Sequence, residues 1–258
     1  MSPPFGKLLG VSLGPGDPGL ITRRAWEVLH SDVHWAYPVR RRRGESYALG
    51  IVQRAGLVIP ENSSPLLFPM THDVEKLGFY WLEAAQTVLS VLKSGRDVAF
   101  LVEGDASTYS TFGHLARTLK ALDASVGIEI IAGVPSFHAA AARLQEPLVD
   151  VDDMLAIVPA GYGIAMLDRL LVDFDTLILL KVKPILNDII DFLAQKNLLV
   201  HSCFIEKSGA PEERIVRDVG SLKGEKVNYL SLLIVKNPDR LRGEIARGCR
   251  KVTRVEAS

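Results

Sequence analysis

Residues 8–13 and 98–102 are two mostly apolar, strand-like runs, and each ends in a glycine-aspartate turn. The first turn is Gly14-Pro15-Gly16-Asp17-Pro18-Gly19. The second is Glu103-Gly104-Asp105-Ala106-Ser107-Thr108-Tyr109. A short apolar run without strict alternation suits a strand covered on both faces, which means a parallel sheet with helices above and below. In such a sheet ligands sit outside the carboxyl ends of the strands. Two acidic, flexible turns therefore stand where a ligand would lie.

The first turn matches G-x-G-x-x-G, the dinucleotide fingerprint. Its chemistry disagrees with its spacing. A pyrophosphate is held by backbone N–H groups at a helix N-terminus, and Pro15 and Pro18 each remove one. Asp17 adds negative charge at the same place. The following strand, 33–39, runs into Arg40, Arg41, Arg42 and Arg43 rather than ending in the acid an NAD ribose needs. Arginines could answer to a 2′-phosphate, so an NADP-dependent oxidoreductase stands as the alternative from another class, with the prolines unexplained. A plain strand-to-helix turn would account for the glycines, with Pro18 near the first helical position. It would leave the second acidic turn unaccounted for.

Strand and helix patterns alternate through most of the chain, giving an α/β class with a mainly parallel first sheet. Helices are expected at 20–30, 46–55, 71–94, 110–122 and 137–144, and strands at 8–13, 33–39, 66–68, 98–102 and 128–131. The second half differs. Strands are expected at 154–158, 176–180, 199–205 and 230–235, with helices at 165–171 and 185–195. The last strands lack helical crossovers, so antiparallel pairing follows. The stretch 206–217 reads as a charged loop. Two α/β domains are expected, 1–134 and 135–258, with the changeover between Gly133 and Asp150.

Lys+Arg and Asp+Glu both number 30, a formal net charge of +0, so no global field favours nucleic acid or an anionic membrane. The two cysteines, Cys203 and Cys249, form no CxxC pair, and the first residues show no secretory leader. Together they point to a reducing cytoplasm. The six histidines show no metal-ligand spacing, and no metal site is expected.

Acidic turns followed by Tyr109, Ser110 and Thr111, with Pro135-Ser136 at a third strand end, suit a ligand with a positive centre and several polar atoms. S-adenosylmethionine has that chemistry. Asp105 also has a purely structural reading, as the N-cap of the helix after it. The four arginines suit carboxylates or phosphates, against the plainer reading of a solvated loop.

These segments together resemble the tetrapyrrole methylases. Gly14 to Pro18 followed by Leu20-Ile21-Thr22 is similar to the opening motif of that family. Glu103-Gly104-Asp105 with Tyr109-Ser110-Thr111-Phe112 is similar to the second, and Gly133-Val134-Pro135-Ser136-Phe137 to the third. The stretch from Glu206 to Arg214 and the run from Tyr229 to Leu232 are similar to later ones. Tyr37-Pro38-Val39, Gly44 to Leu49 and Phe68-Pro69-Met70-Thr71 resemble the precorrin-2 C20-methyltransferase branch in particular. The resemblance implies methyl transfer from S-adenosylmethionine to a tetrapyrrole polycarboxylate, in a cleft between two domains of a homodimer. Methylation elsewhere on the ring, or of RNA or protein by the same fold, are the nearer alternatives.

By the same resemblance the cofactor contacts are Pro15, Glu103, Asp105, Thr108, Tyr109, Pro135, Ser136, Lys181, Ser208, Tyr229 and Leu230. Arg40, Arg41, Arg42 and Arg43 would hold the substrate. Asp17, Tyr37, Asp105 and Tyr109 are candidates for a base. Two positions depart from the family pattern: Ala106 stands where proline is usual, and Pro135 where serine or threonine is common. The aspartate near Pro38 that serves as suspected base in uroporphyrinogen-methylating relatives is absent.

Overall fold

The computed structural model describes residues 5–41, 44–71 and 73–241. Two five-stranded sheets organise them. The first contains β1 (Lys7–Ser12), β2 (His34–Val39), β3 (Ser64–Leu67), β4 (Val98–Val102) and β5 (Gly127–Ile131). Their order is β3-β2-β4-β1-β5, and every pair is parallel. The chain leaves β1 towards β2 on one side and β4 towards β5 on the other. The switch point therefore lies between β1 and β4, where an open parallel sheet offers its crevice.

Each face of that sheet has its own core. On one, Leu8, Phe100 and Val102 meet α3 (Val74–Lys93) and α4 (Phe112–Leu122) through Val88, Leu92, Leu115 and Leu119. On the other, Val11 and Leu101 meet α1 (Arg23–Leu29) and α2 (Tyr47–Arg54) through Ala25, Val28, Ile51 and Val52. Burying each large apolar side chain contributes about 1.5–3 kcal/mol, so β1 and β4, covered on both sides, are the firmest anchors available to the turns that follow them.

The second sheet contains β6 (Leu155–Pro159), β7 (Thr176–Leu180), β8 (Ser202–Glu206), β9 (Arg214–Val216) and β10 (Ser231–Lys236), in the order β6-β7-β10-β8-β9. Only β6 and β7 pair in parallel; β10 runs antiparallel to both its neighbours, and β9 antiparallel to β8. One face packs against α6 (Ile164–Asp173) and α7 (Leu186–Gln195). The other receives α5 (Ser136–Leu144), whose Phe137, Ala140 and Leu144 lie on Ile178, Ile205, Leu232 and Ile234. Thus α5 follows β5 of the first sheet in sequence but packs on the second.

Several boundaries differ from the periodicity. The first helix starts at Arg23, because Thr22 caps it (Ala25 N to Oγ1, 3.3 Å) and residues 18–20 form a separate 3-10 turn. The long helix starts after Asp73, whose carboxylate accepts from Lys76 N at 3.1 Å. Residues 199–201 are a 3-10 turn rather than strand. The charged loop expected at 206–217 contains β9, an edge strand of three residues, none of them buried, too short to show an alternation. Arg42, Arg43 and Cys249 lie outside the described residues; Cys203 is buried, and burial pushes its thiol pKa up. Among the described residues, no helix is long and apolar enough to cross a membrane.

Candidate cofactor cleft

Three strand-end turns of the first sheet are laced together by hydrogen bonds. Gly14 and Gly104 exchange N–H···O contacts of 3.2 and 2.7 Å, joining the β1 and β4 turns. Asp105 joins the β4 turn to the β5 turn, its Oδ2 accepting from Gly133 N at 2.8 Å. Its Oδ1 accepts from Ser107 N at 2.9 Å and from the Ser107 and Thr108 hydroxyls. Asp105 is thus a clamp between turns and not a helix cap, since α4 begins only at Phe112. Burial raises its pKa, but the hydrogen bonds from Ser107 and Gly133 outweigh that and hold the carboxyl below its ordinary range. Ala106 N donates to Ser12 Oγ at 2.9 Å. A proline at this position would lack that donor.

The β1 turn is also clasped by the second half. A methyl at Gly16 would lie 2.7 Å from Ala210 N and 2.9 Å from Ser208 O. Gly209, with φ +76°, approaches Asp17 just as closely: a β-carbon there would lie 2.9 Å from Asp17 N. Two glycines from opposite halves let the backbones meet. The place a pyrophosphate would take beside the second glycine is filled by protein. From the other side α2 holds the turn's carbonyls: Tyr47 Oη donates to Pro15 O at 3.0 Å, and Arg54 to Gly16 O at 2.9 Å. Burial, then the nearby Glu103, push the Tyr47 hydroxyl up to about 12, so it stays a donor.

Between the sheets lies a cleft enclosing about 870 Å³, counting its open mouth. All eleven residues that the resemblance implied as cofactor contacts line it. Its floor is apolar, made by Phe137, Leu180, Ile205 and Leu232. Ser208 Oγ is buried at the wall without a hydrogen-bond partner, the residue being only 6% exposed. Glu103 lines the cleft but is half-buried in protein. Burial raises its pKa, which Arg40 partly opposes, and no hydrogen bond engages its side chain among the described residues.

Other expected residues lie elsewhere. Asp17 Oδ1 accepts from Gly19 N at 2.8 Å and does not line the cleft. Tyr37 packs against the α1–α2 core. Arg40 stands near the cleft, its guanidinium 5.4 Å from the centre of the Tyr229 ring. The negative charge that the sequence suggested for Asp17 and Asp105 is therefore committed to backbone N–H groups, and Glu103 is the carboxylate left facing the cleft. Sequence reasoning missed Tyr47, Gly104, Phe137, Leu180, Ile205, Lys207, Ser231 and Leu232 as lining residues. The only advance signal was position: each stands in or beside a quoted motif or at a strand end. Three lining residues, Tyr109, Lys181 and Lys207, are non-glycine residues with φ of 51°, 57° and 50°.

The model of the family described as Tetrapyrrole (Corrin/Porphyrin) Methylases matches residues 7–222, which takes in both sheets down to the turn before β10. The chain belongs to the tetrapyrrole methylases. Among its relatives, the cobalt-precorrin-2 C(20)-methyltransferase of Salmonella typhimurium is 33% identical over 232 residues, covering 89% of this chain and 96% of that one. The precorrin-2 C(20)-methyltransferase of a Sinorhizobium species is 29% identical over 240 residues, 89% of this chain and 95% of that one. The crystal structure of uroporphyrin-III C-methyl transferase from Thermus thermophilus complexed with S-adenyl homocysteine shares the fold, with a TM-score of 0.62 and 22% identity over 90% of this chain and 92% of that one. Within the tetrapyrrole methylase fold, the laced turns form one wall of the cleft and the strand ends of the second sheet the other.

Proposed function

We propose that this tetrapyrrole methylase transfers a methyl group from S-adenosylmethionine to C20 of precorrin-2, or of its cobalt-bearing form, in cobalamin assembly. The observation that carries the reading is the convergence of the three laced turns with Lys207, Ser208 and the ends of β7 and β10 on one cleft, in a chain that resembles C20-methyltransferases along nearly all of its length. The lining suits the donor. The apolar floor would take the adenine, the unpartnered Ser208 hydroxyl lies ready for a polar atom, and Glu103 supplies negative charge near a cationic centre. When bound, S-adenosylmethionine supplies a methyl carbon on a sulfonium, open to displacement.

The protein's task is to hold donor and ring in line, which can supply most of the rate. Asp17 and Asp105 already accept backbone hydrogen bonds, and Tyr37 packs, half-buried, against the α1–α2 core. This supports a reaction carried by positioning, in which none of Asp17, Tyr37, Asp105 and Tyr109 is an essential base. Arg40, beside the Tyr229 ring at the edge of the cleft, would meet a substrate carboxylate. The proposal includes a division of the chain at 134/135, and a cytoplasmic homodimer.

Titration with S-adenosylhomocysteine and, in parallel, NADP(H) tests the cofactor: tight binding of the first and none of the second is expected. Anaerobic assays with metal-free and cobalt-bearing precorrin-2, followed by NMR of the product, test the substrate and position. Methylation at C17 or C11, or binding of the nicotinamide nucleotide in the cleft, would overturn the reading.

A further inference from the structure

Two cations guard the cleft, one from each half, and each rests on a tyrosine of the opposite half. Arg40, just beyond β2, stands 5.4 Å from the centre of the Tyr229 ring, which precedes β10. Lys181, just beyond β7, stands 5.9 Å from the centre of the Tyr109 ring, in the β4 turn. Tyr109 is itself fixed across the gap, its hydroxyl donating to Ile157 O of β6 at 3.0 Å. Among the described residues neither cation has a carboxylate within ion-pair distance, whereas Lys207, on the same wall, has Glu212 at 3.8 Å. Both ring distances are near the outer limit for a cation–π contact, where the attraction is weak. The two charges are thus held in place and easily surrendered.

Resting on the reading above, we propose that Lys181 binds a carboxylate arm of the tetrapyrrole, opposite Arg40, and is not a cofactor contact. A sulfonium donor brings positive charge of its own, so an ammonium directed at it costs Coulomb energy, while a ring bearing many carboxylates gains from both cations. The left-handed backbone of Lys181, φ 57°, turns the chain out of β7 at the cleft wall. Tyr109, with φ 51°, turns its ring to meet the ammonium. The rings keep the side chains aimed before substrate arrives, which reduces the ordering each must undergo on binding.

The test uses Lys181→Met, which keeps length and backbone demands but removes the charge, with Lys181→Arg as the conservative partner. Binding of uroporphyrin III, a polycarboxylate ring, is followed by fluorescence titration, and of S-adenosylhomocysteine by calorimetry. Loss of one charge-assisted hydrogen bond should weaken uroporphyrin binding about tenfold or more in Lys181→Met and flatten its salt dependence. Lys181→Arg should retain most of the affinity, and S-adenosylhomocysteine should bind both variants as it binds the parent. Equal uroporphyrin affinity for parent and Lys181→Met, or a loss confined to S-adenosylhomocysteine, would overturn the assignment of Lys181. Failure of the parent itself to bind the ring would instead overturn the tetrapyrrole reading on which it rests.

Discussion

Gly16→Ala tests whether the β1 turn is a docking surface for the second half of the chain. The added methyl would lie 2.7 Å from Ala210 N, 2.9 Å from Ser208 O and 3.0 Å from the Gly209 carbonyl carbon. All three are backbone atoms, so no side chain can swing aside. Ordinary contact needs about 3.5–4.0 Å, and the turn must part from residues 208–210 by roughly 1 Å. Overpacking of this kind costs about 1–3 kcal/mol, read as a fall in the midpoint of urea unfolding at unchanged slope. Because Pro15 and Ser208 line the cleft on either side of that seam, S-adenosylhomocysteine affinity should fall about tenfold, which is ~1.4 kcal/mol. Gly19→Ala is the control: its methyl would meet only the Asp17 carboxylate, at 3.2 Å or more, and should change stability by no more than about 0.5 kcal/mol. If Gly16→Ala unfolds and binds like the parent, the two halves do not depend on that contact. If Gly19→Ala proves the more damaging, the turn is working as a dinucleotide fingerprint after all.

Asp105→Asn should cost about 1.5–3 kcal/mol at neutral pH, the range for hydrogen bonds to a charged group. The folded pKa of Asp105 lies below the ordinary 3.8, so its contribution is present above that value and disappears as pH falls through the folded pKa. Unfolding curves of parent and variant should therefore converge in acid, and a gap that persists there would count against the charge. Glu103 is shifted the other way, raised from 4.5 by burial, so its ionised form opposes folding. Glu103→Gln should be the more stable protein at pH 8, with the difference closing as pH falls through the raised folded pKa and gone below 4.5; a variant less stable at pH 8 would contradict this. Ser208→Ala removes a buried hydroxyl without a partner and should leave the empty protein as stable or slightly more so. Its S-adenosylhomocysteine affinity should fall about fivefold, one ordinary hydrogen bond, and an unchanged affinity would show that the hydroxyl meets no part of the ligand. Alanine at Asp17, Tyr37, Asp105 or Tyr109 should cost less than ~10⁴-fold in single-turnover rate, and a larger loss at one site with cofactor affinity intact would identify a base.

The parallel first sheet was legible because its strands are short apolar runs closed by glycine-rich turns, and their positions hold to within a residue or two at β1, β4 and β5. Strand β9 was not, because Arg214–Val216 is an exposed edge with no buried alternation to detect. The start of α1 was displaced because Thr22 offers a hydroxyl cap that competes with the apolar pattern beginning at Leu20. Most of the cleft was legible through motif resemblance, which picked out strand-end residues. The apolar floor was invisible, since Leu180, Ile205 and Leu232 look like any other residues of buried strands until the second sheet turns them towards the first. The electrostatics were misassigned for a plain reason. A carboxylate in a turn reads the same whether it faces a ligand or a neighbouring N–H, and Asp17 and Asp105 do the latter.

Tyr109, Lys181 and Lys207 hold the backbone in a conformation that suits glycine better, at roughly 1 kcal/mol or more apiece. Heat resistance and turnover should therefore pull in opposite directions at these positions. A selection for thermal survival alone would drift there towards glycine or asparagine, and its winners would be tougher molecules with a duller grip on what they are meant to hold.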